Sequence, residues 1–166
     1  MPTPVQHHSS DRGELFSELN SLLSKVSTHH YRLFWLTGGA ANDRSQVLQS
    51  YSEDLIPAPI NVGLELSRAL IDTPPAQRAA TALDVFSELL ADKSVIILDR
   101  LEILFESSLR LNPLDLVKTA SRHRVIIASW PGDILDGAFR FGPDGHPSSQ
   151  NYPVDTTEDY FLTLHP

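Results

Sequence analysis

Two uninterrupted apolar runs leave this chain few architectures. Val95-Ile96-Ile97-Leu98 ends at Asp99, and Val125-Ile126-Ile127-Ala128 ends at Ser129. A strand with one wet face alternates apolar and polar side chains. A β-branched run without alternation needs cover on both faces, as in parallel sheets flanked by helices. An apolar strand is also expected after Arg32, running into Gly38-Gly39, and shorter ones at 58–62 and 160–164. Helical spacing separates them. Leu15, Phe16, Leu19, Leu22, Leu23 and Val26 form one stripe over 12–27, with Asp11 and Glu14 as a capping box. Val47, Leu48 and Tyr51 mark a helix from Ser45 to about Leu55, which Pro57 and Pro59 end. Leu64 to Ile71 reads as helix up to Pro74-Pro75. Ala76 to Leu90 follows, with Ala79, Ala82, Leu83, Phe86, Leu89 and Leu90 on one side. Asn112-Pro113 opens a helix to about His123, a side-chain cap followed by proline in the first turn. Residues 132–157, rich in Gly, Pro, Asp and Ser, are expected to be loops with at most a hairpin. The alternation predicts a three-layer α/β domain over 12–166 with a mainly parallel, five-stranded sheet, preceded by a flexible lead-in over 1–11.

Composition narrows the function classes. The 166 residues suit one domain with a real core, and the formal charge of −8 argues against a stand-alone nucleic-acid binder, which would present a basic face. With no cysteine there is no disulfide, thiolate nucleophile or Cys-ligated metal site. Neither a signal-peptide pattern nor an apolar run of about 20 residues is present, so a cytoplasmic protein without a membrane role is expected. His7-His8 and His29-His30 are adjacent pairs that point in different directions, and only His123 and His146 fall near the candidate elements. Zinc chemistry is not expected from them, nor acyl transfer without a G-x-S-x-G elbow.

The segment from Arg32 to Ser45 has the layout of a phosphate-binding loop. An apolar strand runs into Gly38-Gly39, small residues Ala40-Ala41-Asn42 follow, and a helix begins. Against G-x-x-x-x-G-K-S/T, Gly38 and Ser45 fit, while Asp43 replaces the second glycine and Arg44 the lysine. The pattern works because backbone N–H groups and the helix N-terminus cradle phosphates, the lysine reaches the outer phosphates and the hydroxyl ligates magnesium. A carboxylate at 43 would repel those phosphates. Arg44 keeps a charge, but on a bulkier planar fork.

Asp99 closes its strand as the acidic residue of a Walker B motif does, where it would hold magnesium with Ser45. Glu102 is the nearest candidate base for water, with pairing to Arg100 as its plain alternative. Ser129 would sense the outer phosphate or simply end its strand. Arg122 and Arg124, at the opposite sheet edge, would either face water or serve a neighbouring subunit as arginine fingers; the first is favoured.

Several segments together resemble the BrxF family, small P-loop proteins of type III bacteriophage exclusion (BREX) systems. They are Ile60-Asn61-Val62-Gly63-Leu64-Glu65-Leu66-Ser67-Arg68, Leu98-Asp99-Arg100-Leu101-Glu102-Ile103-Leu104-Phe105 and Ala128-Ser129-Trp130-Pro131-Gly132, extending into Gly142-Pro143-Asp144-Gly145-His146-Pro147. The resemblance implies an AAA-like P-loop NTPase core without a lid domain, using ATP and Mg2+ within a phage-defence system. Partners would be other proteins of that system, such as a larger ATPase or a methyltransferase, and a homo-oligomer is compatible with it. Other members carry the full G-x-x-x-x-G-K-S/T loop; this chain departs from it at Asp43 and Arg44. The expectation is therefore a pseudo-ATPase scaffold with weak nucleotide binding at residues 38–45, and the alternative is a working Mg-dependent ATPase.

Overall fold

Strand register and side-chain period together produce three layers. The computed structural model describes residues 5–7, 12–55, 58–142, 149–155 and 159–165. In chain order the main elements are β1 (Val5–His7), α1 (Arg12–Val26), β2 (Leu33–Gly38), α2 (Ala41–Leu55), β3 (Ile60–Asn61), α3 (Val62–Leu70), α4 (Arg78–Leu90), β4 (Val95–Asp99), α5 (Pro113–Ala120), β5 (Val125–Ser129), β6 (Asp133–Leu135), β7 (Ala138–Phe141), β8 (Gln150–Pro153) and β9 (Tyr160–Leu164). Short 3-10 turns occupy Pro75–Gln77, Leu101–Phe105 and Ser107–Leu109.

The main sheet has the order β1-β9-β2-β5-β4-β3, and every pairing in it is parallel. Because side chains alternate across a strand, each continuous apolar run serves two cores. Leu33, Trp35, Ile96, Leu98, Ile126 and Ala128 face α3, α4 and α5. Phe34, Leu36, Ile97, Val125, Ile127 and Leu162 face α1 and α2. This is why the runs show no polar alternation.

The five expected strands share this sheet, and a sixth joins them from the lead-in. Val5–His7 pairs with β9, from Val5 opposite Leu162 to His7 opposite Leu164, so part of the 1–11 segment is ordered edge strand. Asp11, Pro57 and residues 143–148 lie outside the described residues, as do the capping box, that helix stop and the last resembling segment that depend on them. The region expected to be loops with at most a hairpin forms a three-stranded antiparallel sheet, β6-β7-β8, one strand more than a hairpin. Its buried Phe139 packs with Trp35 and Trp130. Gly132 opens it because a Cβ there would overlap the Arg140 carbonyl oxygen, the same oxygen that accepts from Trp130 Nε1 at 3.1 Å. Aromatic packing at long sequence separation, rather than local strand propensity, orders this piece. Among the described residues no helix is long and apolar enough to cross a membrane.

Candidate functional site at the C-terminal rim of the sheet

Parallel register delivers the candidate residues to one edge. Asn61 lies opposite Asp99, Leu98 opposite Ala128, and Leu36 opposite Ser129. Gly38, Asn61, Asp99 and Ser129 therefore all sit at the C-terminal ends of neighbouring strands, the edge where open α/β sheets carry their ligands. Gly38 has φ +76° and Gly39 φ +60°. A Cβ on Gly38 would lie 2.9 Å from Thr163 Cγ2 and closer still to the Leu164 carbonyl, so β9 permits only glycine at this turn.

The loop departs from the expected layout just beyond that turn. Helix α2 starts at Ala41, four positions before the expected Ser45. The Asp43 and Arg44 N–H groups both donate to the Ala40 carbonyl, and the Ala40 N–H donates back to Asp43 Oδ2 at 3.0 Å. Asp43 thus acts as the acidic half of a capping box, satisfying a helix-end donor and placing negative charge at the positive end of the helix. Residues 41–43 wind into helix instead of forming an open loop, and the carboxylate expected to repel phosphate takes up a backbone donor itself.

Arg44 is only 4% exposed. Long helical side chains lean back toward the helix N-terminus, and this one reaches the loop it follows. Nε donates to Ser129 Oγ at 2.8 Å, and Nη1 donates to the carbonyls of Gly38 at 2.9 Å and Gly39 at 3.1 Å. Burial pulls the guanidinium's pKa below its ordinary value, while Glu102 and Asp99 pull the other way. The fork ties β2, the loop and β5 together, so Ser129 here accepts from Arg44.

Ser45 and Asp99 meet as expected. Ser45 Oγ donates to Asp99 Oδ2 at 2.6 Å, and Asp99 Oδ1 accepts from the Arg100 N–H at 2.9 Å. The two oxygens border a groove of about 380 Å³, also lined by Gln46, Gln49, Asn61 and Arg100. Glu102 lies in the 3-10 turn after β4 and lines an adjoining groove of about 960 Å³ that shares Asn61 and Arg100. Arg100, left-handed at φ +57°, does not pair with Glu102; it reaches Asn42 Oδ1 at 2.6 Å. That contact, the cap of α3 by Asn61 Oδ1 on the Leu64 N–H at 2.9 Å, and the Gln46–Gln49 wall were not anticipated from sequence. Asn61 and Arg100 lie within resembling segments and Asn42 within the 38–45 loop, whereas Gln46 and Gln49 carried no signal.

At the other edge, Arg122 donates to the Tyr31 hydroxyl at 3.2 Å and Arg124 to the Leu90 carbonyl at 2.6 Å. Both serve their own chain.

The donor set suits the two expected groups unequally. A serine hydroxyl beside an aspartate is hard oxygen chemistry of the kind magnesium takes alongside waters, although among the described residues no three His, Asp or Glu side chains converge on a metal position. A triphosphate would meet fewer donors at the loop as folded, because Asp43 takes the Ala40 N–H and two of the Arg44 nitrogens are spent on carbonyls and Ser129. The chain matches no protein-family model, no curated protein and no solved structure.

Proposed function

We propose that this chain is a P-loop-type scaffold, a pseudo-ATPase that binds partner proteins rather than turning over nucleotide. One observation carries the reading: Arg44, at the lysine position, is buried and bonded to Gly38, Gly39 and Ser129. With Nε and Nη1 committed to the loop's own carbonyls and to Ser129, the guanidinium is drawn back into the loop instead of extending toward an outer phosphate. The setting in phage defence is supported by the BrxF resemblance of residues 60–68, 98–105 and 128–132. A net charge of −8 suits docking on a basic surface of a larger ATPase or methyltransferase of the same system. Calorimetric titration with ATP and magnesium tests the proposal. The expected affinity is no tighter than tens of micromolar, about −6 kcal/mol, and submicromolar binding would overturn it. The double change Asp43→Gly with Arg44→Lys is expected to tighten nucleotide binding. If affinity stays flat, the correspondence of residues 38–45 with a Walker A loop is wrong.

The 2.6 Å contact between Ser45 and Asp99 favours a second reading, a slow Mg-dependent ATPase. In it Ser45 and Asp99 hold the metal, Glu102 orients water and Ser129 follows the outer phosphate once Arg44 lets go. Phosphate release by the wild-type chain that vanishes in Asp99→Ala would decide for this reading.

A further inference from the structure

A second concave feature lies at the other end of β5. Helices α4 and α5 pack on the same face of the sheet but leave a groove of about 480 Å³ between them. That volume falls within the range of small-ligand sites, which are mostly apolar with a few placed polar groups. Phe86 and Leu90 form a buried floor, and Leu116 is partly buried beside it. Leu83 stays 41% exposed on the rim. The groove is closed by His123 and Arg124, which precede β5.

Charge at this end is arranged for an anion. Arg124 is held by its bond to the Leu90 carbonyl at 2.6 Å, and its Nε is buried with no acceptor. Among the described residues no carboxylate forms an ion pair with it. The groove's one acid, Asp115, lies in the first turn of α5, at the far end of that helix from His123. A fixed guanidinium without a counter-ion is unusual on a surface whose net charge is −8.

We propose that this groove binds a small amphipathic anion, its apolar tail along Leu83, Phe86, Leu90 and Leu116 and its acid group at Arg124. The site is independent of the rim that carries Asp99, since Arg124 precedes β5 and Ser129 ends it.

The probe is sodium decanoate, kept below its micellar concentration and titrated into protein with labelled leucine methyl groups. Saturable shifts are expected at Leu83, Leu90 and Leu116. Decyltrimethylammonium, with the same tail and the opposite charge, is expected to bind about tenfold more weakly or worse. Leu83→Glu, at an exposed position, is expected to abolish decanoate binding, and Arg124→Gln to weaken it by about fivefold or more. Three results would each overturn the proposal: no saturable shift, saturable shifts centred elsewhere, or a cation that binds as well as the carboxylate. If Arg124→Gln unfolds the chain, the charge comparison between the two probes and the Leu83→Glu variant still decide the matter.

Discussion

Replacing Arg44 separates a structural clasp from a residue kept for a ligand. The guanidinium spends two of its nitrogens on three acceptors: Ser129 Oγ at 2.8 Å, and the Gly38 and Gly39 carbonyls at 2.9 and 3.1 Å. Hydrogen bonds to a charged donor contribute about 1.5–3 kcal/mol each, so three such bonds give a gross value of about 4.5–9 kcal/mol. Two effects reduce it. The charge is desolvated, as its lowered pKa indicates, and removal relieves that cost. The loop carbonyls are only part-buried, and water would replace some of the lost donors. Arg44→Ala should therefore destabilise the fold by about 2–4 kcal/mol, which lowers Tm by about 5–15 °C in a domain of this size.

Arg44→Met keeps the apolar stem and deletes the donors, so it should recover less than half of that loss. Arg44→Lys can reach the carbonyls but not Ser129 at the same time, and should fall between wild type and Met. Urea unfolding with an unchanged slope measures all three. A side chain retained to meet phosphate behaves differently, because in the free protein its charge is under-satisfied and removing it is neutral or stabilising. An Arg44→Ala cost below about 0.5 kcal/mol would refute the clasp and, with it, the physical basis of the scaffold reading.

Three more outcomes follow from the packing. Gly38→Ala, at φ +76° against the backbone of Leu164, should cost about 3 kcal/mol or more in urea unfolding, strain and overlap combined. Lys118→Met should cost about 3–5 kcal/mol, because Asp159 is 1% exposed and its Lys118 partner, 2.7 Å away, is its ion pair; Lys118→Met with Asp159→Asn should restore much of the loss. The buried Tyr51 hydroxyl donates to Asn20 Oδ1 at 2.7 Å, and burial raises its pKa. Its contribution is then complete below about pH 10, the unfolded value, and is lost as pH rises through the higher folded value; Tyr51→Phe should flatten that alkaline decline in a pH series of unfolding curves.

The layers were legible because burial on both faces writes itself into composition. A short, β-branched run such as Val95-Ile96-Ile97-Leu98 favours a strand covered on both faces, and the spacing of Leu15, Leu19, Leu22 and Val26 leaves one face for α1. The meeting of Ser45 with Asp99 was legible for a related reason: parallel strands bring their C-terminal ends to one edge whatever the loops do. The small sheet was hidden because Phe139, Trp130 and Tyr152 are ordered by one another across a chain segment whose local composition favours turns. Edge strand β1 was hidden too, since Val5-Gln6-His7 has no periodicity and gains its order from the free edge of β9.

The loop misled for a more instructive reason. Matching residues 38–45 to an eight-residue template assumes that the backbone stays open up to position 43. The capping rules make a competing demand on the same residues, since an acid three places after the helix cap satisfies a donor that would otherwise need an anion. Asp43 answers that demand, the helix begins at Ala41, and Arg44 is carried a turn inward to meet the carbonyls of Gly38 and Gly39. The two departures from the template are therefore one structural solution. Asp43 supplies the negative charge that the helix N-terminus seeks, and Arg44 supplies the donors that the loop carbonyls need. Reverting either alone leaves a helix end without its acid or a loop without its clasp. On the proposed reading, that coupling is why phosphate binding at this loop would require Asp43→Gly and Arg44→Lys together, and why their combined effect on nucleotide affinity should exceed the sum of the single changes.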